Sequence, residues 1–393
     1  MSGAPRPTAA GERSPVLGAL SGALALSAAM GIGRFAYTAL LPPTQRALGI
    51  GDDAAGALAS ANLVGYLAGV LAARQLGAHR LGGAVLRAGL AATVLATAGG
   101  ALTASVAAWA ALRSAAGVAS GLVFVLASSA ALELAPDRAG LVFAGVGSGI
   151  ALSGAIAALA PEGAFSAPWL ALAGMAALAC AAPWRTLAAA GKPGAGAPPP
   201  RAARPDVGFG RLAAAYFLEG FGYIVSGTFA VAAVRRTPGL EALAPWTWVL
   251  TGLSAVPSAV LWSRLAARRG ARRVLAAAYL AQAAGMALPS LSSSPGAALA
   301  GAALFGGTFM GITTLAMDAG RSLAPASPGR IIGTLTAVYG VGQVLGPLLS
   351  GALSQRVGSA TPAVLAAAAA VALGGAMLAL PTAVTVASPQ PSR

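Results

Sequence analysis

Three charged side chains lie inside stretches of the chain that are otherwise apolar: Arg34, Arg113 and Glu219. A charge at the centre of a membrane span costs about 2.5–3.5 kcal/mol on the insertion scale, so such residues are rare and mark substrate or ion pathways. A carboxyl group that alternates between an apolar site and an arginine can bind and release a proton, as a proton-coupled carrier requires. Glu219 is the candidate proton carrier, and Arg34 is its candidate partner. The alternative, a structural ion pair that locks two helices, stays open.

Uncharged polar side chains of the same stretches extend the candidate pathway. A tyrosine hydroxyl in an apolar span needs a hydrogen-bond partner, which favours a position beside a cavity. A buried amide either contacts a substrate or bonds to a neighbouring helix, and the sequence favours neither interpretation. The tyrosines are Tyr37, Tyr223 and Tyr339, and the amides are Asn62, Gln282 and Gln343. Phe217, Phe305 and Phe309 are interpreted as packing residues.

The composition excludes most catalytic and metal sites. The 393 residues include one Cys and one His, which leaves no cysteine cage and no multi-histidine site. Ten acidic residues are few for acid–base catalysis, and Asp52 and Asp53 form the only adjacent acidic pair. No G-x-x-x-x-G-K-[ST] loop occurs, so nothing indicates ATP-driven transport. We therefore predict no enzyme activity, no metal and no cofactor.

The elements that must position these residues are membrane-spanning helices. Hydrophobic residues make up 57% of the chain and charged residues 9%, whereas soluble domains carry about 25% charged residues. A run of about 20 apolar residues is long enough to cross a bilayer. Twelve such runs occur, at 16–41, 54–73, 84–105, 107–131, 139–160, 168–188, 209–234, 246–266, 273–291, 297–318, 330–352 and 361–384. The predicted fold is an all-α membrane protein of twelve transmembrane helices, embedded in the lipid bilayer.

Lys and Arg are distributed unevenly between the two sides of these runs. With the N-terminus in the cytoplasm, 19 of the 25 fall in cytoplasmic segments, 4 in outer loops and 2 inside spans. Because cytoplasmic loops are enriched in Lys and Arg, both termini are predicted to be cytoplasmic, with the protein in the cell inner membrane. The net charge of +15 is attributed to this topology and not to nucleic-acid binding, since the cations do not cluster on one helix or face.

The chain divides at one long hydrophilic connector. Residues 184–210 are rich in Gly, Pro and Arg, as a flexible linker is. We predict a cytoplasmic tail (1–15), a six-helix bundle (16–188), a cytoplasmic linker (189–208), a second six-helix bundle (209–384) and a second tail (385–393). We expect a monomer that binds a small-molecule substrate, with protons as the candidate coupling ion.

Glycine motifs recur in the two predicted bundles. The fifth and eleventh spans share G-x-x-x-G-x-x-L-S-G at an offset of 197 residues, the first and seventh share G-x-G at 189, and two basic loops lie about 190 residues apart. A near-common offset indicates a duplicated six-span unit, whose even span number makes the repeats parallel and places substrate between them. The glycines suit close helix packing, which also permits sliding. The motif residues are Gly31, Gly33, Gly145, Gly149, Gly154, Gly220, Gly222, Gly342, Gly346, Pro347 and Gly351, and the loop arginines are Arg74, Arg80, Arg264, Arg268, Arg269, Arg272 and Arg273.

Taken together, these motifs resemble the major facilitator superfamily. Six plus six spans with a central cytoplasmic loop match its plan, and Arg113 followed by Gly117 and Gly121 resembles its fourth-span signature. The fifth and eleventh spans resemble its exporter-associated signature. The basic loop from Arg264 to Arg273 resembles its loop signature without the acidic residue. The segments MGIGRFAYTALLP at 30–42, GLVFAGVG at 140–147 and YFLEGFGY at 216–223 are similar to the YbfB/YjiJ-type branch.

The resemblance implies a secondary active transporter that works by rocking alternating access. Proton-coupled export of a small organic molecule is the function it favours. Uptake or exchange of a small organic anion, clamped by Arg34 and Arg113 in bidentate fashion, is the alternative. A non-transporting membrane sensor is a more remote interpretation.

The charge bias predicts a topology that reporter fusions can check. A reporter that is active only in the cytoplasm should be active when fused after Arg393 and when inserted near Lys192 in the linker. The same reporter placed after Arg236, in a predicted outer loop, serves as the inactive control. An external reading at either of the first two positions would show that the twelve-span count is wrong.

Overall fold

Twelve helices of the described part of the chain are long and apolar enough to cross a membrane, as the sequence predicts. The structure is a computed structural model that describes residues 14–76, 82–188, 208–323 and 328–380. Most of the predicted tails and linker, Arg80 and the side chain of Arg74 lie outside the described residues. The helices are α1 (Pro15–Ile32), α2 (Asp52–Leu76), α3 (Gly82–Gly100), α4 (Val106–Leu134), α5 (Ala139–Leu159), α6 (Ser166–Thr186), α7 (Phe209–Arg235), α8 (Ala244–Arg269), α9 (Ala271–Leu291), α10 (Pro295–Leu323), α11 (Pro328–Val357) and α12 (Thr361–Ala379).

The first span, predicted at 16–41, is interrupted. α1 is α-helical to Leu26, and a π-helix (Ser27–Ile32), a turn and two short helices (Ala36–Ala39 and Leu41–Leu48) follow. Gly31 and Gly33 weaken the helix at the interruption, because glycine has a low helix propensity. Pro42 lies in the first turn of the helix Leu41–Leu48, where proline is well tolerated.

Arg113 on α4 binds the backbone where α1 is interrupted. Its Nη1 donates to the carbonyl of Gly33 and its Nη2 to the carbonyl of Arg34, each at 3.2 Å. Its guanidinium carbon lies 4.6 Å from the centre of the Tyr37 ring. Backbone carbonyls within the apolar region need partners inside the protein, so Arg113 stabilises the irregular segment.

Two more candidate pathway residues also bond to backbone. Asn62 Nδ2 donates to the Arg113 carbonyl at 2.8 Å, and the Tyr37 hydroxyl donates to the Ala55 carbonyl at 3.1 Å. Both bonds join α2 to its neighbours. Each terminal nitrogen of Arg113 thus donates to a backbone carbonyl of the interrupted segment.

The shared glycine motif packs in the same way in both halves. Gly145 and Gly149 lie against the backbone of α1, and Gly342 and Gly346 lie against the backbone of α7. A Cβ atom at any of these four positions would overlap a backbone atom of the facing helix. The first two glycines of each copy thus join the fifth helix of a half to its first.

The third glycine of each copy reaches into the other half. Gly154 lies against Val249 of α8, and Gly351 lies against Asp52 of α2. The contacts of α5 with α8 and of α2 with α11 are the broad ones between the halves. A single ten-residue pattern therefore supports packing within and between the six-helix units.

The halves are bonded to each other from the middle of the molecule to one end. We call the side where α1 begins and α12 ends the terminal face, and the opposite side the distal face. Thr38 Oγ1 donates to the Gly227 carbonyl, and Ser60 Oγ donates to the Val344 carbonyl at 2.8 Å. These contacts hold the distal ends of the two halves together.

An ion pair closes the distal face. Asp52, the first residue of α2, accepts hydrogen bonds of 2.6 and 2.7 Å from Arg236, which follows α7. Gln45 Nε2 also donates to Asp52 at 2.8 Å, and the Asp52 amide donates to Gln355 Oε1 at 3.1 Å. Hydrogen bonds to Asp52 raise the pKa of Arg236 above its ordinary value, so the arginine stays charged. We call Gln45, Asp52, Arg236 and Gln355 the distal latch.

Replacing Arg113 should lower the stability of the protein. Arg113→Gln leaves the Gly33 and Arg34 carbonyls without their charged donor, and a buried unsatisfied group costs about 1–3 kcal/mol. Arg113→Lys should lose less stability, because the ammonium is still a charged donor. It should not restore all of it, because a single ammonium lacks the fork that reaches both carbonyls. The thermal unfolding midpoint in detergent measures the effect, with exposed Arg46→Gln as the control. An unchanged midpoint together with lost substrate binding would instead show that Arg113 binds the substrate, as the anion hypothesis expects.

Breaking the distal latch should expose the distal side. Asp52→Asn removes the ion pair, and a loss of 1 kcal/mol would raise the open population roughly fivefold. A cysteine at Thr228→Cys, in a chain carrying Cys180→Ser, should then react faster with a membrane-impermeant maleimide. Asp53→Asn, an exposed neighbouring carboxylate, should leave the rate unchanged. Asp52→Arg combined with Arg236→Asp should restore the slow rate. If Asp52→Asn does not speed labelling and the charge swap does not slow it, the ion pair does not close this face.

Candidate functional site

Arg34 lies where the interrupted part of α1 meets α7. Its Nη2 donates to the Tyr223 hydroxyl at 3.0 Å, and its guanidinium carbon lies 4.6 Å from the Tyr66 ring centre and 5.0 Å from that of Phe35. The side chain is 5% exposed, and its Nε has no hydrogen-bond partner. Aromatic faces attract the cation, more strongly in a desolvated place.

Arg34 has no carboxylate partner within the part of the chain that the structure describes. The ion pairs there join Arg236 to Asp52 and Arg321 to Asp318. The expected pairing of Arg34 with Glu219 is wrong for this conformation, because Tyr223 occupies the position opposite the guanidinium. Arg34 is thus a buried cation whose described contacts are the Tyr223 hydroxyl and two aromatic rings.

Tyr223 joins Arg34 to the second half. Its hydroxyl oxygen also accepts a hydrogen bond of 2.6 Å from Gln343 Nε2 of α11. One tyrosine thus bonds a cation of the first half and an amide of the second. Tyr223 and Gln343 therefore lie where the two halves meet.

Tyr223 belongs to a stack of aromatic rings. Its ring is parallel to those of Phe309 and Tyr339, with centroids 6.0 and 5.6 Å away, and Tyr339 stacks on Tyr216 at 4.3 Å. Phe305 completes the stack, 6.5 Å from Tyr223. We call these five residues the aromatic column. Phe305 and Phe309, interpreted from sequence as packing residues, pack directly on Tyr223.

Glu219 lies one helical turn before Tyr223, within the second half. Its Oε1 accepts a hydrogen bond of 2.5 Å from Gln282 Nε2 of α9, and Thr308 Oγ1 of α10 lies 3.0 Å from Gln282 Oε1. Glu219 is 1% exposed, and its Oε2 has no hydrogen-bond partner. The Tyr279 hydroxyl is likewise buried without a hydrogen-bond partner. Gln282 therefore contacts Glu219, and the amide joins three helices.

Of the remaining predicted residues, the glycines of α7 pack against neighbouring helices and the loop arginines lie at the terminal face. Gly220 packs against Tyr339, and Gly222 packs against Ala367 of α12. The arginines of the described basic loop flank Gly270, whose φ of 90° suits glycine, at the turn between α8 and α9. They are Arg264, Arg268, Arg269, Arg272 and Arg273, and Arg272 donates to the Ala379 carbonyl at 2.7 Å.

Sequence reasoning missed Tyr66 and the distal latch. Tyr66 has the same signal as the other tyrosines, a hydroxyl in an apolar span, and its ring contacts Arg34. Asp52 was considered only as half of an acidic pair. The sequence did hold a signal for the latch: Asp52 and Arg236 have opposite charges, and both lie at helix ends predicted to be on the same side of the membrane.

Solved structures of transporters share this fold. A mutant of the nucleoside transporter NupG superposes with a TM-score of 0.74 at 11% sequence identity, covering 91% of this chain and 98% of that one. The human organic anion transporter MFSD10 (TETRAN) superposes with a TM-score of 0.59 at 17% identity, covering 93% and 98%. At these identities the likeness shows the fold alone. No curated protein matches the sequence.

A family profile covers most of the chain. The family described as "Uncharacterised MFS-type transporter YbfB" matches residues 26–379, from the π-helical end of α1 to the last residue of α12. This agrees with the twelve helices, the repeated glycine motif and the resemblance seen in the sequence. The chain belongs to this family of major facilitator transporters and is a multi-pass membrane protein.

Proposed function

We propose that the protein is a secondary active transporter that exports a small organic molecule in exchange for protons, with Glu219 as the proton-carrying group. The observation that carries this proposal is the state of the Glu219 carboxyl group. It is buried, one oxygen accepts from Gln282, and the other has no partner. An ionised carboxylate without a cation is costly in such a place, so a proton on Glu219 belongs to this conformation.

The position of Glu219 suits coupling between proton and substrate. Glu219 and Tyr223 are four residues apart on α7, so they lie on one side of the helix about 6 Å apart along its axis. Tyr223 carries the hydrogen bond to Arg34 in the other half. Rocking of the halves would break that bond and change the surroundings of this stretch of α7, which gives Glu219 a second environment in which to lose its proton.

Export and orientation rest on the sequence. With the terminal face in the cytoplasm, the distal latch lies on the outer side of the membrane. The glycine-rich α5 and α11 resemble the exporter-associated signature, and the bias of 19 to 4 in Lys and Arg supports this orientation, with both termini cytoplasmic. We assign the protein to the cell inner membrane as a monomer of two six-helix bundles. We propose a small organic substrate, the class to which the substrates named for the two solved transporters of this fold also belong.

Uptake or exchange of a small organic anion is the second candidate. It is favoured by Arg34, which is buried and without a carboxylate partner in the described residues. The proposed ligand contacts are Arg34 and Arg113, and Tyr223 and Gln343 lie beside Arg34. The aromatic column beside them suits a flat ring, so an aromatic carboxylate fits this chemistry.

Replacing Glu219 should separate proton coupling from substrate movement. In proteoliposomes, Glu219→Gln should abolish uptake driven by an imposed pH gradient, because the amide cannot carry a proton. Counterflow exchange of the same substrate should keep at least half of its rate. Glu133→Gln, the same change at an exposed carboxyl of α4, is the control. Equal loss of both activities would assign Glu219 to binding or structure and contradict the coupling role.

Replacing Arg34 should test the anion hypothesis. Arg34→Lys keeps the charge but loses the fork that pairs with a carboxylate, so affinity for an anion should fall about tenfold, or 1.4 kcal/mol. Ligand-induced thermal shifts with benzoate and benzamide compare a flat ring with and without the charge, and Arg46→Lys is the exposed control. A benzoate shift that survives Arg34→Lys unchanged, or that benzamide reproduces, would contradict anion binding at this residue.

A further inference from the structure

An apolar groove lies on the outer surface of the first half, away from the polar cluster. It runs between α3 and α6 and has a volume of about 740 Å³. Its walls include Leu90, Val94 and Leu95 of α3 and Cys180 of α6, with Trp184 and Arg185 near one end. Ligand sites in proteins span about 300–1,000 Å³, so the groove is large enough for a chain-like ligand.

The groove extends from the terminal face to about the middle of the membrane. Its lining follows α6 from Ala177 to Thr186, the last residue of that helix, a rise of about 14 Å, and on α3 it includes Leu90 to Leu95. Half of a bilayer's hydrocarbon core is about 15 Å thick. The groove therefore matches one acyl chain of the leaflet on the terminal side. Leu95 is 69% exposed, as a lipid-facing side chain is expected to be.

Two arginines lie at the terminal end of the groove. Arg185 forms part of the lining, and Arg87 Nε donates to the Trp184 carbonyl at 3.3 Å, which ties Arg87 to the last turn of α6. Neither arginine has an ion-pair partner among the residues described in the structure. Trp184 is 41% exposed at the same level, where tryptophan anchors a helix to the membrane interface.

We propose that this groove is a binding site for an anionic phospholipid of the leaflet at the terminal face. One acyl chain lies between α3 and α6, and the phosphate group binds Arg87 and Arg185. Apolar walls below and unpaired cations at the interface match the two parts of such a lipid. Zwitterionic lipids carry the same chains without net charge, so the arginines give the site its preference for an anionic headgroup.

Cys180 allows the site to be observed directly. It is the only cysteine of the chain and lies in the wall of the groove. Purified full-length protein in detergent is mixed with phosphatidylglycerol or with phosphatidylcholine of the same acyl chains, and the alkylation of Cys180 by N-ethylmaleimide is timed. We expect phosphatidylglycerol to slow the reaction at least fivefold more than phosphatidylcholine. Arg87→Gln combined with Arg185→Gln should remove this difference, while Arg264→Gln, an exposed arginine of the other half, should keep it.

Native mass spectrometry provides a second measurement. Wild-type protein should retain one phosphatidylglycerol more than the double variant does. Equal protection by both lipids, or protection that persists in the double variant, would overturn the proposal. Protection without lipid that rises with protein concentration would assign the groove to a second copy of the chain and overturn it as well. If the alkylation is too slow to time, the mass measurement decides. The proposal is then overturned if the wild type and the double variant retain equal numbers of phosphatidylglycerol molecules.

Discussion

The membrane requires every buried backbone polar group to have a partner, and the interruption of α1 is the place where this requirement shapes the molecule most. The chain leaves regular helical geometry at Gly33 and Arg34. This is tolerated because Arg113 donates to both carbonyls. Arg113 is thus fixed by hydrogen bonds to the backbone. Arg34 lies at the interruption, and its guanidinium contacts Tyr223 of the other half. The polar cluster between the halves depends on that arrangement.

The contacts between α1 and α7 follow from the internal symmetry. Arg34 bonds to Tyr223 and Thr38 bonds to Gly227, and both pairs are 189 residues apart, which is the offset of the glycine pairs in these two helices. Two positions related by a twofold axis can touch each other only where they lie close to that axis. The two bonds therefore place α1 and α7 beside the axis between the halves, where transporters built from parallel repeats bind their substrates.

Composition and spacing were sufficient to predict the twelve helices and the packing glycines, because apolar length and small-residue periodicity are properties of single helices. The partners of the charged residues could not be predicted in this way. Spacing gives the depth of a residue along its helix but not the neighbour that its side chain faces, so Glu219 was assigned to Arg34 and bonds to Gln282 instead. The interruption of α1 did have a local signal, since Gly31, Gly33 and Pro42 are close together.

The symmetry of the scaffold is not shared by its charges. At the 189-residue offset, Arg34 corresponds to Tyr223 and Glu219 corresponds to Met30. Among the described residues, Arg34 of the first half therefore has no carboxylate partner, and Glu219 of the second half has no cationic partner. A symmetric pair of bundles can exchange its two open states with little difference in packing, because equivalent glycines make equivalent contacts. Any preference between the states must then come from groups that break the symmetry, and the buried ionisable side chains Arg34 and Glu219 are two such groups.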